Sequence, residues 1–596
     1  MNAGADSRPS HPGEPWLEII DASSPILLIA PHGGRAGAAA RAKLHPKVND
    51  LHTAEITREL ARRLGASAMI NSGMDRNQLD CNRLPEVAEQ APWMLELIAE
   101  RLARILERQS RATVLFIHGW NIIEPRVDFG LGLRNLGGEL RASGSAFISA
   151  ADDFINGALA ALAHRLTAGG IKPTFGMRYP AGGLHNLVQA FTARHRASPI
   201  GPIGKISAFA SRGVVDAAQL ELSVSVRMPG PLRTQCIDAI VAAFDRNGTG
   251  ASNRRDPFVV NRTPRPRAAA PKLPATAPSP PSRVGIEFFD PSASIGAMAS
   301  FDLGGAGATG ARIMILHGRR RVALFTAEGR PAREPSQVRL GPLAFLLDRG
   351  SITLSFRGPA VIVPDSAAYV SIERALASGR LDPTVDISLK MPLAGRELDL
   401  GWVFDGKAPP PSPPAAAPEF GTLTGELTIG GVTHPIRAAA RVGMSFTGLG
   451  PQGFRARRMI WASFSDGAPP SALELRTVID DGAADYRDAR LLDRHGWMTG
   501  ELDALEIETP AVDEPPDRIA AGISAADGKV TPITGQVAAY VPLSRPGPNL
   551  SRIYTCLGFA RFSLGEREGA GMFEYSRRID AGGAAAPADP DDSDLD

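Results

Sequence analysis

Imidazoles and carboxylates occur here at spacings that suit a divalent cation and a proton shuttle. The apolar run at 25–30 leads into Pro31-His32-Gly33-Gly34, and a similar run at 112–117 leads into His118-Gly119-Trp120. Short unbroken apolar runs suit strands buried on both faces of a parallel sheet. Ligands of open α/β sheets bind beyond the carboxyl ends of such strands. Both histidines are therefore predicted on the functional edge of one sheet. Between them, Asp50, His52 and Glu55 open an amphipathic helix that runs to about Leu64 and closes at Gly65. Asp75-Arg76 and Asp80-Cys81-Asn82-Arg83 follow a further strand-like run at 66–70. Residues 217–227 alternate with period two, which sets Gln219, Glu221, Ser223 and Ser225 on one face. A carboxylate in mid-strand signals a cleft, a partner or water.

Taken in order, Pro-His-Gly-Gly at 31–34, Thr53-Ala54-Glu55, Asp80-Cys81-Asn82-Arg83, His118-Gly119 and Gln219-Leu220-Glu221 resemble the N-formylglutamate amidohydrolase family over roughly residues 20–245. The resemblance implies a carboxypeptidase-like α/β fold and a zinc amide hydrolase. It implies His32, Glu55 and His118 as metal ligands and Glu221 as general base. Asn82 and Arg83 would hold a substrate carboxylate. The resemblance sets substrate loops at 128–132 and 181–185, which brings in His185, and Arg178 is counted with the substrate-binding residues. Two departures stand out: His52-Thr-Ala-Glu55 in the second motif and His118-Gly-Trp120 in the third.

The residue types fit that chemistry. Catalytic zinc takes three nitrogen or oxygen ligands and keeps a position for water. The metal lowers the pKa of that water and polarises the carbonyl, while a nearby carboxylate moves the proton. A guanidinium fork matches a carboxylate bidentately. The residues also allow plainer roles. Asp50 or His52 could replace Glu55 as second ligand. Arg83 could pair with Asp80 or Asp75, Glu221 with Arg178, and the two histidines could simply cap their strands.

The whole chain is too long for one ordinary domain. It is 43% hydrophobic and 21% charged, enough to bury sizeable cores, and its net charge of +2 argues against a general nucleic-acid binder. Cys81, Cys236 and Cys556 are far apart, which fits a reducing compartment. No apolar leader and no run of membrane-spanning length occur, so the expected location is cytoplasmic. Residues 1–18 read as disordered. Residues 19–260 alternate strand-like and helix-like segments, with helices predicted at 92–108, 151–168 and 231–245. A Pro/Ala-rich linker follows at 261–283.

Beyond the linker, short alternating runs between Gly and Pro turns predict an all-β sandwich or barrel. A Pro-rich loop is expected at 408–418 and an acidic disordered tail at 581–596. Gly425–Gly431, Ala440–Phe446 with Trp461, and Gly569–Tyr575 resemble lipocalin-like proteins of the carotenoid hydratase type. That likeness implies a pair of antiparallel β-barrels, at 284–440 and 441–580, around an apolar cavity. The family's Arg-Asp-His-Ser-Trp-Gly block is degenerate here, since Arg441-Val-Gly-Met-Ser-Phe446 lacks the Asp and His. Apolar-ligand binding is left standing, with Glu574 either in a cavity or a paired strand residue. The combined expectation is a metal-dependent α/β hydrolase of an N-formyl or N-acyl amino acid, fused to a β region for an apolar ligand. Two other readings remain: a lipid or terpenoid carrier without catalysis, and a hydratase or isomerase centred on the β region.

Overall fold

The computed structural model describes residues 8–9, 15–43, 46–136, 138–142, 148–245, 258–262, 281–303, 309–334, 336–348, 350–393, 418–446, 454–464, 471–480, 486–493, 496–508, 516–524, 530–546 and 551–579. They fall into two compact units, one from residues up to 262 and one from 281–579, with 122–124 grouped with the second. All but the ends of the linker, all but the last residue of the loop at 408–418, and the tail lie outside the described residues. Among the described residues, no helix is long and apolar enough to cross a membrane. Cys81, Cys236 and Cys556 are all buried and free.

The first unit is a sheet between two helix layers. Its strands are β1 (Leu17–Ile20), β2 (Ile26–Ala30), β3 (Ser67–Asn71), β4 (Ala112–Trp120), β5 (Arg126–Gly130), β6 (Lys172–Phe175) and β7 (Val215–Ser223). Their lateral order is β1-β3-β2-β4-β7-β5-β6, with Arg8–Pro9 outside β1. β3, β2, β4 and β7 are parallel, whereas β1 and β5 run antiparallel to β3 and β7. The main helices are α1 (Thr53–Leu64), α2 (Leu84–Gln90), α3 (Pro92–Arg108), α4 (Ala160–Ala168), α5 (Gly201–Ser211) and α6 (Pro231–Phe244). On one face Leu84, Leu95, Ile98 and Ile203 pack with Leu27, Val114 and Phe116. On the other, Ile56, Leu60, Leu162 and Ile240 pack with Leu28, Leu115 and Ile117. Helices on both faces are why β2 is buried at every position and carries no polar residue.

Three expectations change in detail. Leu17 and Ile19 are buried in a paired strand, so order begins before residue 18. β7 ends at Ser223, and Val224–Arg227 make a helical turn. The alternation misleads there because all four residues of that turn are buried. The helix predicted at 151–168 is interrupted by a π-helical turn at Ile155–Leu159, where Asn156 exchanges hydrogen bonds with the Phe258 backbone.

The second unit is antiparallel β. Eleven strands between 281 and 446 form one sheet. Val322, Ala323 and Leu324 pair with Val363, Ile362 and Val361, which closes eight strands of that row into a ring. Phe301 meets Phe345 with ring centroids 4.8 Å apart, and Phe325 meets Phe356 at 5.0 Å. The eight strands from Phe454–Phe464 to Arg567–Ile579 form a closed barrel around Ile460, Leu475, Phe562 and Phe573. Val432–Phe446 pairs within the first sheet, so the break between lobes falls after 446 rather than at 440.

Candidate active site

β2 delivers His32 to the edge of the sheet, as the apolar run predicts, whereas His118 lies within β4, which continues to Trp120. The glycines beside each histidine are there for close approach. A Cβ on Gly33 would sit 2.5 Å from the Asn71 carbonyl oxygen, and one on Gly119 would sit 2.5 Å from Arg227 Nη1. In the parallel pairing of β4 and β7, Glu221 stands beside His118, and across the antiparallel pairing Asp128 stands beside Glu221. One face of three neighbouring strands thus carries His118, Glu221 and Asp128 in a row.

Asp50 completes the cluster. Its backbone N–H donates to the His32 carbonyl at 2.8 Å, and its own carbonyl accepts the Thr53 hydroxyl at 2.7 Å where α1 begins. Asp50 Oδ2 lies 3.3 Å from His32 Nδ1 and 3.2 Å from His118 Nδ1, and it accepts the Gly119 N–H at 2.9 Å. His32, Asp50 and His118 offer ligand atoms within 4.8 Å of one another, all buried. Asp50, rather than the expected Glu55, is the residue that stands with the two histidines. Glu55 is exposed in the first turn of α1 and lines a surface groove with Arg58, Arg62 and Arg233. His52 is the half-buried residue before α1, in a left-handed conformation (φ 70°). Its charged neighbours are Glu55, Arg233, Arg227 and Arg35.

Burial dominates the electrostatics. It pushes His118 down to about 4, although the Asp50 carboxylate opposes it. Burial also acts against charge on Asp50, but hydrogen bonds from His118 and His32 outweigh it and hold that carboxyl far below the usual range. Burial and then Arg76 lower His32, but the Asp80 charge and the hydrogen bonds to Asp50 and Asp80 raise it overall. Burial raises Glu221 well above the carboxylate range, with Asp50 and Asp128 adding to the rise.

The residues present fit a divalent metal. Two imidazoles and a carboxylate form a donor set used by catalytic zinc. His118 Nε2 is buried without a hydrogen-bond partner, an atom that a ligand would satisfy.

The remaining predicted residues gather in two pieces beside this cluster. The segment Asn82–Leu84 pairs with His185–Leu187: Leu84 N–H donates to the His185 carbonyl at 2.6 Å, and Leu187 N–H to that of Asn82 at 2.8 Å. Asn82 Oδ1 is buried and unpartnered. Among the described residues, the half-buried Arg83 has no recorded side-chain partner; Asp80 pairs instead with Arg76 and Lys47. His185 is half-buried next to Asn186, whose side chain donates to Gln219 Oε1 at 3.3 Å. Gln219 in turn donates to Glu221 Oε1 at 2.5 Å, so Glu221 bonds Gln219 rather than Arg178. The backbone N–H groups of Met177, Arg178 and Tyr179 all donate to Asp128, at 2.9–3.0 Å, which pins that loop. Asn186, Asp128 and the arginines Arg76 and Arg227 were not assigned roles from sequence. A carboxylate in mid-strand at 128 was a signal of the same kind as Glu221.

The β unit buries a different set. Arg441 Nε and Nη2 donate to Glu474 at 3.1 and 2.9 Å, and Nη1 donates to Glu287 at 3.3 Å. Trp461 Nε1 donates to Glu287 at 2.7 Å. Glu574 is half-buried and pairs with Arg457 at 3.6 Å. A cleft of about 1270 Å³ in this unit is lined by Phe420, Phe464 and Phe562 together with Arg437, Arg518 and Arg561.

No protein-family model and no curated protein matches the chain. Solved structures that align with about half of this chain include a protein of Nitrosomonas europaea provisionally assigned as AttH, at 12% identity and TM-score 0.31, covering 52% of this chain and 99% of that one. Kievitone hydratase from Nectria haematococca aligns at 8% identity and TM-score 0.31, over 52% of this chain and 94% of its own. CghA in complex with Sch210972 aligns at 10% identity and TM-score 0.30, over 50% and 88%. Identities and TM-scores this low leave the reading of function to this chain's own residues.

Proposed function

We propose that the α/β unit is a metal-dependent hydrolase of a linear amide in an N-formyl or N-acyl amino acid. The observation that carries this reading is the buried meeting of His32, Asp50 and His118 beside Glu221, with His118 Nε2 left unbonded. These three residues would hold the metal, which supplies an activated water and a polarised carbonyl when bound. Glu221 takes the proton from the attacking water and passes it to the departing amine. Burial, with Asp50 and Asp128, raises its pKa, and the charge of a bound metal would oppose that rise. Gln219 holds one oxygen of Glu221, and Asn186 holds Gln219 in turn. Arg83 and the Asn82 amide bind the carboxylate of the acyl amino acid.

The test is metal content and hydrolysis on the full chain. About one zinc per chain, lost in His32→Ala and in His118→Ala, with hydrolysis of N-formyl or longer N-acyl amino acids abolished in Glu221→Gln, supports the reading. No metal uptake at neutral pH with zinc supplied overturns it.

A second reading centres on the β unit, and the large cleft lined by aromatic and arginine side chains favours it. In that reading the unit binds, or acts as a hydratase or isomerase on, an apolar small molecule with an anionic group. Loss of ligand binding in Arg437→Ala and Arg518→Ala, with zinc binding unchanged, separates it from the first.

A further inference from the structure

Asp80 stands outside the three ligands, yet it touches almost every part of the site. Its Oδ1 lies 2.6 Å from His32 Nε2 and accepts the Asn82 N–H at 3.1 Å. Its Oδ2 accepts from Lys47 Nζ at 3.1 Å and from Arg76 Nη2 at 3.4 Å. Arg76 in turn reaches Asp50 Oδ1 at 3.7 Å. The Asp80 side chain is 4% exposed, so these contacts are made without competing water.

The contacts divide by function. His32 has one ring nitrogen on Asp80 and the other toward Asp50. A carboxylate on the far nitrogen of a ligand histidine fixes its tautomer and ring orientation and raises its basicity. Here the same oxygen also holds the backbone of Asn82, which precedes Arg83. We propose that Asp80 is a positioning residue that couples the His32 ligand to the Asn82–Arg83 substrate segment, so that one buried carboxylate sets both metal affinity and substrate affinity. This rests on the hydrolase reading above.

Asp80 does not meet the reacting atoms, and its loss is expected to act through its two dependants. Asp80→Asn removes the negative charge but keeps an acceptor. Asp80→Glu keeps the charge and displaces it. The experiment measures Zn²⁺ affinity of the full chain by competition with a chelator, and then KM and kcat at saturating zinc. The expected result for Asp80→Asn is zinc binding weaker by ~10–100-fold, together with a KM raised more than kcat is lowered. Asp80→Glu is expected to recover part of both. A residue that merely supports the fold would lower the melting temperature and leave zinc affinity and KM of the folded protein unchanged, and that result overturns the proposal. If the wild-type chain binds no zinc, the hydrolase reading fails and the coupling with it. Wild-type zinc binding with an unaltered Asp80→Asn removes only the coupling.

Discussion

Each unit buries a knot of charged groups, and the knots differ in how their charges are paired. In the β unit, Arg441 places three nitrogens on Glu474 and Glu287, and Trp461 adds a hydrogen bond to Glu287. Among the described residues of the α/β unit, His118 Nε2 and Asn82 Oδ1 are buried without a hydrogen-bond partner, and Glu221 lies among Asp50 and Asp128, with Arg76 opposing their charge. A buried polar atom without a partner costs about 1–3 kcal/mol. Opposite charges answer one another in the β knot, whereas Glu221 of the α/β knot lies among other carboxylates, and that contrast, rather than burial, sets the two apart.

The comparison breaks most sharply at Glu221. Replacing it with Gln preserves shape and the bond from Gln219 but removes the base. Hydrolysis by the full chain is expected to fall by ~10²–10⁴-fold while zinc content stays at wild-type level. Equal activity in wild type and Glu221→Gln would make the α/β knot no more functional than the β one.

Glu474→Ala probes the other side. It removes two of the three hydrogen bonds of the buried Arg441 and leaves it with Glu287 alone, and unfolding of the β unit is expected to become easier by up to about 3–5 kcal/mol in a denaturant titration. The pH response has a definite sign. Burial works against the Glu474 charge, but Arg441 and Arg476 outweigh it, so its folded pKa lies below the ordinary 4.5. Its contribution is complete above pH 4.5 and is lost as pH falls through the lower folded value. A β-unit stability that stays flat on acidification would show that the pair does little.

Much of the site was legible because chain order and burial leave marks. The unbroken apolar runs ahead of His32 and His118 marked parallel strands, and the polar alternation at 219 and 221 marked a strand with a polar face, which the structure buries. Which residue joins the two histidines was not legible. Asp50, His52 and Glu55 all lie within one turn of the helix start, and only the loop path decides among them. The bond from Asp50 N–H to the His32 carbonyl turns Asp50 inward, and the rise of α1 leaves Glu55 outside. Asn186 could not be placed either, because its partner Gln219 is 33 positions away and the pairing of 82–84 with 185–187 is tertiary. In the β unit, short strands and turns gave the class, whereas the ring closure through Val322–Leu324 depends on a long-range pairing that no local pattern encodes.

Arg83→Lys sharpens the comparison at its finest point, since it keeps the charge and removes only the fork. Among the described residues Arg83 has no recorded side-chain partner, unlike Arg441, so the folded state loses little when the guanidinium goes. Charge-assisted hydrogen bonds contribute about 1.5–3 kcal/mol, and a lysine makes one such contact where a guanidinium makes two. KM for an N-acyl amino acid is therefore expected to rise by roughly 10-fold or more, with kcat nearly unchanged and the melting temperature within a degree or so of wild type. An amide substrate lacking the carboxylate should not distinguish the two proteins. If KM is unmoved for the carboxylate substrate, Arg83 does not hold it, and Asn82 Oδ1 must be waiting for a different group.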